Sequence, residues 1–255
     1  RRRPVRPPPP GHLGYASPVG IALPLFPLGT VLFPGLLLPL RVFEPRYRAL
    51  VGHLMALPDD GREFGVVAIR AGWEVELTGP GGGADELSAA EDPVLYEVGC
   101  TAAVRQINER PDGRVDLVAV GRRRFRVLDV DHDAAPYLIA EVAWLPEVRG
   151  DAERAAGLAG DVLMIFQRYL RLLGDADRPD AGDEQLPDDP TVLSHLVAAT
   201  ASLPLDERQR LLAEPDTVSR LRVERSLLRR EVALLTRVRA VPVPLAELAT
   251  PTAPN

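Results

Sequence analysis

Hydrophobic and polar positions change their period once along this chain. From residue 21 to about 147, apolar residues alternate with polar ones or form short unbroken runs, the patterns of half-buried and fully buried strands. Residues 64–70 (FGVVAIR) read as a buried strand and 99–109 (GCTAAVRQINE) as an alternating one. Pro111, Asp112 and Gly113 are turn formers, so 114–120 (RVDLVAV) returns as the second arm of a hairpin. Residues 124–130 (RFRVLDV) and 137–144 (YLIAEVAW) add two further strands. One helix interrupts the set. Pro45 suits a first helical position, and Tyr47, Leu50, Val51, Leu54 and Met55 recur at the i, i+3, i+4, i+7, i+8 spacing of one buried face.

From residue 151 the period is helical. Leu158, Val162, Ile165, Phe166, Tyr169 and Leu173 line one face of a long helix. Asp189 and Pro190 form an N-cap and a first-turn proline, opening a helix that turns Leu193, Leu196 and Val197 inward. A shorter helix holds Leu211 and Leu212. The last helix carries Val218, Leu221, Leu228, Val232 and Leu235 on a three–four stripe with Arg225 as its one polar member. Such a seam packs on a neighbouring helix or on a second copy, so a monomer or a weak dimer is expected. Pro242 stops it. The expected division is a proline-rich disordered tail over 1–20, a strand region over 21–147, a helical region over 148–240 and a second disordered tail over 241–255.

A hydrophobic content of 46% supports a real core. No apolar run reaches the roughly 18 residues that span a bilayer, because Pro24, Pro27, Pro34 and Pro39 break the longest one. Residues 1–20 lack the apolar stretch of a signal peptide, and Cys100 is the sole cysteine, so a reducing cytoplasm is the expected setting. Lysine is absent altogether. That excludes an ordinary Walker A loop, a Schiff-base enzyme and a Ser–Lys dyad. The net charge of −6 also disfavours nucleic acid as a partner.

The remaining motifs are weak. Residues 79–84 (GPGGGA) satisfy a dinucleotide-loop pattern, but Asp85, Glu86, Glu91 and Asp92 would repel a pyrophosphate and no helix pattern opens there. Residues 175–186 (DADRPDAGDEQL) begin like a calcium loop, yet Pro179, Asp180 and Leu186 occupy positions that need other residues. His12, His53, His132 and His195 lie apart in sequence, which disfavours a metal site. Asp131-His132-Asp133 has no nucleophile in a fitting motif, and Cys100 beside Ala102 and Ala103 reads as a buried thiol. No catalytic, cofactor or metal site is expected. Residues 121–126 (GRRRFR) put Arg122, Arg124 and Arg126 on one strand face, with Arg123 and Phe125 on the other.

Residues 23–47 read LPLFPLGTVLFPGLLLPLRVFEPRY, followed by FGVVAI, by 97–127 (EVGCTAAVRQINERPDGRVDLVAVGRRRFRV) and by a helical stretch from Asp189 to Leu235. In this order they resemble the N-terminal substrate-binding domain of Lon proteases over nearly all of 21–239. The resemblance implies an α+β fold, a PUA-like β pseudo-barrel with one inserted helix followed by a C-terminal α-helical bundle. Each proline removes a backbone donor, so the opening strands should lie at a sheet edge or bend at bulges. The ATPase and Ser–Lys peptidase chemistry of full-length Lon needs lysines that this chain lacks, so it reads as a stand-alone substrate-binding domain. It would bind unfolded or client polypeptides in protein quality control, with a separate protease or ATPase as collaborator. Pro27, Pro34, Gly35, Phe43, Glu44, Arg46 and Tyr47 carry the signature and are expected to be structural, Glu44 at the positive end of a helix dipole and Arg46 reaching back to the barrel. Phe33, Leu36 and Leu38 are the candidate polypeptide contacts. The alternative is RNA binding, as PUA-like barrels elsewhere do, with Arg122, Arg124 and Arg126 as contacts.

Overall fold

In the computed structural model the described residues are 20–71, 94–173 and 186–238. The 79–92 connection, residues 175–185 of the acidic linker and nearly all of both tails lie outside them. The proline-rich opening forms β1 (Ile21–Leu28) and β2 (Leu37–Val42), followed by α1 (Pro45–Met55), β3 (Glu63–Ala71), β4 (Val94–Leu95), β5 (Val98–Glu109), β6 (Val115–Asp131) and β7 (Ile139–Trp144). Then come α2 (Ala152–Leu173), α3 (Pro190–Thr200), α4 (Leu205–Ala213) and α5 (Thr217–Val238). The fold is α+β, a closed five-stranded barrel with a helical region after it.

The ring runs β1-β7-β6-β5-β3 and back to β1. Its closure explains the prolines of β1. Ile21 to Pro24 pair antiparallel with β7, whereas Leu25 to Leu28 pair parallel with β3. Each half of β1 is thus paired in the ladders on one side only, and Pro24 and Pro27 cost little there.

The two strands expected over 114–120 and 124–130 are one strand, β6, of 17 residues. Its first half lies between β5 and β2, its second between β5 and β7. Across from it, Cys100 pairs with Arg124 and Ala102 with Gly121, so Arg122 and Arg123 together face Thr101. That extra residue is a bulge. It interrupts the alternation, which is why the sequence pattern looks like two strands. Gly121 is needed just before it, since a Cβ there would sit 2.2 Å from the Phe33 carbonyl oxygen. The Pro34-Gly35 turn is stitched to this point: Gly35 (φ 82°) donates to Gly121 O at 2.8 Å, and Gly121 donates to Leu36 O at 2.9 Å.

Two cores result. Leu23, Leu25, Val67, Phe125, Ala140 and Val142 fill the barrel. Phe125 reaches across it, since Cβ atoms built on Gly65 and Gly99 would meet its ring at 2.9 and 2.4 Å. A larger core joins the outer barrel face to the helices. In it Phe26 stacks on Tyr47 of α1 with ring centroids 4.0 Å apart, and Phe33 and Phe166 are buried. The heptad stripe is spent internally: Val218, Leu221, Leu228 and Val232 are buried, and Arg225 pairs with Asp161 of α2 at 2.8 Å. A parallel bridge between Val148 and Asp216 starts α2 and α5 side by side in the same direction. Asp189 caps α3 by accepting from Thr191 N and Val192 N. Among the described residues no helix is long and apolar enough to cross a membrane.

Candidate functional site

The structure separates the residues that the sequence grouped. Phe33 is fully buried and Leu38 nearly so, so neither can meet a polypeptide, and Leu36 is half-buried against the core. The Pro34-Gly35 turn folds Phe33 beneath β6, leaving Leu37 (68% exposed) and Phe43 (50% exposed) as the apolar residues that face outward here. Pro27 lies in β1. Glu44 is the N-cap of α1 without a side-chain cap bond. Instead it pairs with Arg46 at 2.7 Å, and the Arg46 guanidinium sits 4.6 Å over the Tyr47 ring. Two of the contacts of Arg46 are thus with its own neighbours in sequence. Burial pushes the Tyr47 hydroxyl up to about 12.

The three arginines also part company. Arg122 and Arg126 are exposed, but the Arg124 side chain is 1% exposed. Its burial removes it from any contact with RNA. The bulge at Arg122-Arg123 turns it toward the helical region. There Arg124 donates to Leu212 O (2.8 Å), Glu214 O (2.6 Å), Pro146 O (3.1 Å) and Glu147 (3.1 Å). Arg123, expected on Phe125's face, is exposed instead, ion-paired with Glu63 at 3.4 Å and stacked over Trp144 at 3.9 Å.

Arg124 belongs to a network that locks the barrel to the helices. Glu147 also binds Arg220 Nη2 at 3.0 Å and His195 Nε2 at 3.3 Å, while Arg220 donates to Ser194 Oγ and Leu211 O. Burial works to raise the Glu147 pKa, but the His195 bond and the two guanidiniums outweigh it and hold the carboxyl at about 2. Burial lowers the His195 pKa, the Glu147 bond only partly opposing. Both depressed groups contribute stability above their unfolded values and lose it on acidification, His195 below about 6.5 and Glu147 between about 4.5 and 2.

Glu224 behaves in the opposite sense. Both its carboxyl oxygens are buried without a hydrogen-bond partner among the described residues. Burial raises its pKa well above the ordinary range, Arg220 only partly opposing. Its contribution is complete below about 4.5 and is lost as pH rises through the folded value, with a slope of up to about 1.4 kcal/mol per pH unit. Glu224→Gln removes that titration. Urea melts should show the variant gaining on the parent from pH 5 to pH 8; an equal difference at both would refute the assignment.

An opening that could hold a ligand lies elsewhere, beside β5. The β3–β5 ladder runs only from Val66↔Cys100 to Glu63↔Ala103, and Val104 N then donates to Arg62 O at 2.9 Å. Beyond it, residues 105–109 pair with β6 alone among the described residues. Their outer edge borders an open cleft of about 570 Å3 lined by Met55, Asp59, Asp60, Arg62, Val104 and Ile107, among others. Arg62 fixes the rim by donating to Leu57 O and pairing with Asp59 at 2.7 Å. An unpaired strand edge beside apolar side chains can take an extended segment as an added strand. Another outer strand, β2, is poorer: Pro39 removes a donor from the middle of it. No local pattern marks the β5 edge, because it exists only where β3 begins later than β5 ends.

The profile of the family described as ATP-dependent protease La (LON) substrate-binding domain matches residues 22–230. Among curated relatives, Lon protease 1 of Thermus thermophilus is 36% identical over 147 residues, 56% of this chain and 18% of that protein. Lon protease 2 of Syntrophobacter fumaroxidans is 30% identical over 193 residues, 75% of this chain and 22% of that protein. The chain thus spans about a fifth of these relatives' length. The solved N-terminal domain of Mycobacterium avium complex Lon protease superposes with a TM-score of 0.59 at 18% identity, covering 84% of this chain and 98% of that one. The Lon N-terminal domain protein from Xanthomonas campestris gives 0.50 at 26% identity, covering 82% and 98%.

Proposed function

Because the chain belongs to the LON substrate-binding domain family, we propose that it is a non-catalytic polypeptide-binding module that takes extended segments of unfolded or client proteins onto the β5 edge. The observation that carries this reading is that, among the described residues, 105–109 pair with β6 alone, their other edge opening into the cleft beside Met55, Val104 and Ile107. Main-chain pairing supplies affinity for any extended chain, and Met55, Val104 and Ile107, set among charged residues, offer apolar contact to what a folded protein hides. Processing of the bound chain falls to a separate protease or ATPase.

The test is an anisotropy titration with a labelled, permanently unfolded polypeptide, its folded form and a labelled RNA, at low and physiological salt. The unfolded chain alone should bind, with little change on adding salt. Met55→Asp should weaken it about tenfold by placing a charge in the cleft, whereas Leu37→Asp and Phe43→Asp, beyond the opposite edge of β6, should not. Salt-sensitive binding of RNA alone, lost in Arg122→Ala and Arg126→Ala, would overturn the reading. Against that outcome, the face of Trp144 that could stack on a base is covered by Arg123.

A further inference from the structure

A second groove lies between α2 and α5, far along both helices from the Val148–Asp216 bridge that starts them. It encloses about 380 Å3 and is lined by Ile165 and Arg168 of α2 and by Arg229, Val232, Ala233, Thr236 and Arg237 of α5. The Arg225–Asp161 pair joins the same two helices one turn before Ile165 and Arg229. Leu172, 39% exposed, continues the helix face of Ile165 and Arg168, and Met164, 64% exposed, flanks it. The helix spacing of 165, 168 and 172 keeps these side chains on one line.

Three guanidiniums give the groove local positive charge on a chain that is net negative. The net charge is −6, and some surface arginines pair with carboxylates, as Arg230 does with Glu207 and Glu231, Arg110 with Asp116 and Arg123 with Glu63. Arg168, Arg229 and Arg237 are exposed and have no ion-pair partner among the described residues. Arg237 in the last turn complements the α5 dipole. Arg168 and Arg229 lie a turn or more before the helix ends, where that effect has faded. An apolar floor between two helices running side by side accepts a third helix in the groove of their ridges. The guanidiniums on both walls set the partner's sign.

We propose that the α2–α5 groove docks an acidic amphipathic helix of a partner protein, its apolar stripe on Ile165, Ala233 and Leu172 and its carboxylates on Arg168, Arg229 and Arg237. This surface is separate from the β5 edge, so a client could stay bound while a partner docks.

The probe is a synthetic amphipathic helical peptide with leucines at three–four spacing flanked by glutamates, with a lysine-for-glutamate version as control. The full chain should bind the acidic peptide and not the basic one, and added salt should weaken binding. Arg229→Glu and Arg168→Glu, both exposed and so compatible with the fold, should each lower affinity about tenfold. Met55→Asp should leave it unchanged, which separates failure here from failure at the β5 edge. No binding, equal binding of both peptides, or indifference to Arg229→Glu would overturn the proposal. So would binding of vesicles rich in anionic lipid, or of RNA, in place of the peptide. A concentration-dependent rise in solution mass abolished by Arg229→Glu would also overturn it, by assigning the groove to a second copy.

Discussion

Arg124→Met is expected to destabilise the protein by about 3–5 kcal/mol, a fall in Tm on the order of 10 °C. The methionine keeps most of the aliphatic stem, so the loss is one of polar satisfaction. Three carbonyls, of Pro146, Leu212 and Glu214, lose their donor, and Glu147 loses one of its two guanidiniums. Each orphaned buried acceptor carries a desolvation penalty of about 1–3 kcal/mol, though the network can relax and the terms do not add. Arg122→Met and Arg126→Met, on exposed side chains of the same run, should change stability by no more than about 0.5 kcal/mol. Urea unfolding followed by circular dichroism distinguishes them. Equal effects of the three would mean that the bulge does not turn Arg124 inward.

Phe125→Ala is the second large effect, about 3–5 kcal/mol. The ring is fully buried and crosses the barrel between Leu23, Leu25 and the backbone at Gly65. A small closed barrel has no neighbouring layer to collapse into the cavity, so relaxation is limited. A double-mutant cycle gives the sharper check. Gly65→Ala alone should destabilise by about 1–3 kcal/mol through overpacking, since its Cβ would meet Leu25, Leu23 and Phe125 side chains at 2.7, 2.8 and 2.9 Å. Phe125→Leu shortens the ring that stands in the way, so the pair should be better than additive. Strict additivity would show that the two do not meet across the barrel.

Much of the fold was readable from local pattern. The face Tyr47, Leu50, Val51 and Leu54 of α1 is buried as its spacing requires, although Met55, expected on the same face, is exposed at the helix end, and Asp189-Pro190 opens α3 with the cap that those residues favour. The strands around the Pro111–Gly113 turn pair as a hairpin. These features depend on residues within a turn or two of one another, where side-chain period and turn chemistry act directly. The candidate site was less readable. Phe33 and Leu38 looked like contacts because they are apolar beside prolines, and both are core.

By itself, then, the sequence determined the succession of a strand region with one helix and then a helical region, and the α+β class through a family resemblance. Only the tertiary structure decided which arginine lies inside, that β6 is one strand, where β5 outruns β3, and which arginines border the α2–α5 groove. The physical reason is range. Periodicity records which face of an element is covered, but an arginine between barrel and helices, a strand edge and a groove are each made by elements distant in sequence, and a single inserted bulge residue reverses every face that follows it.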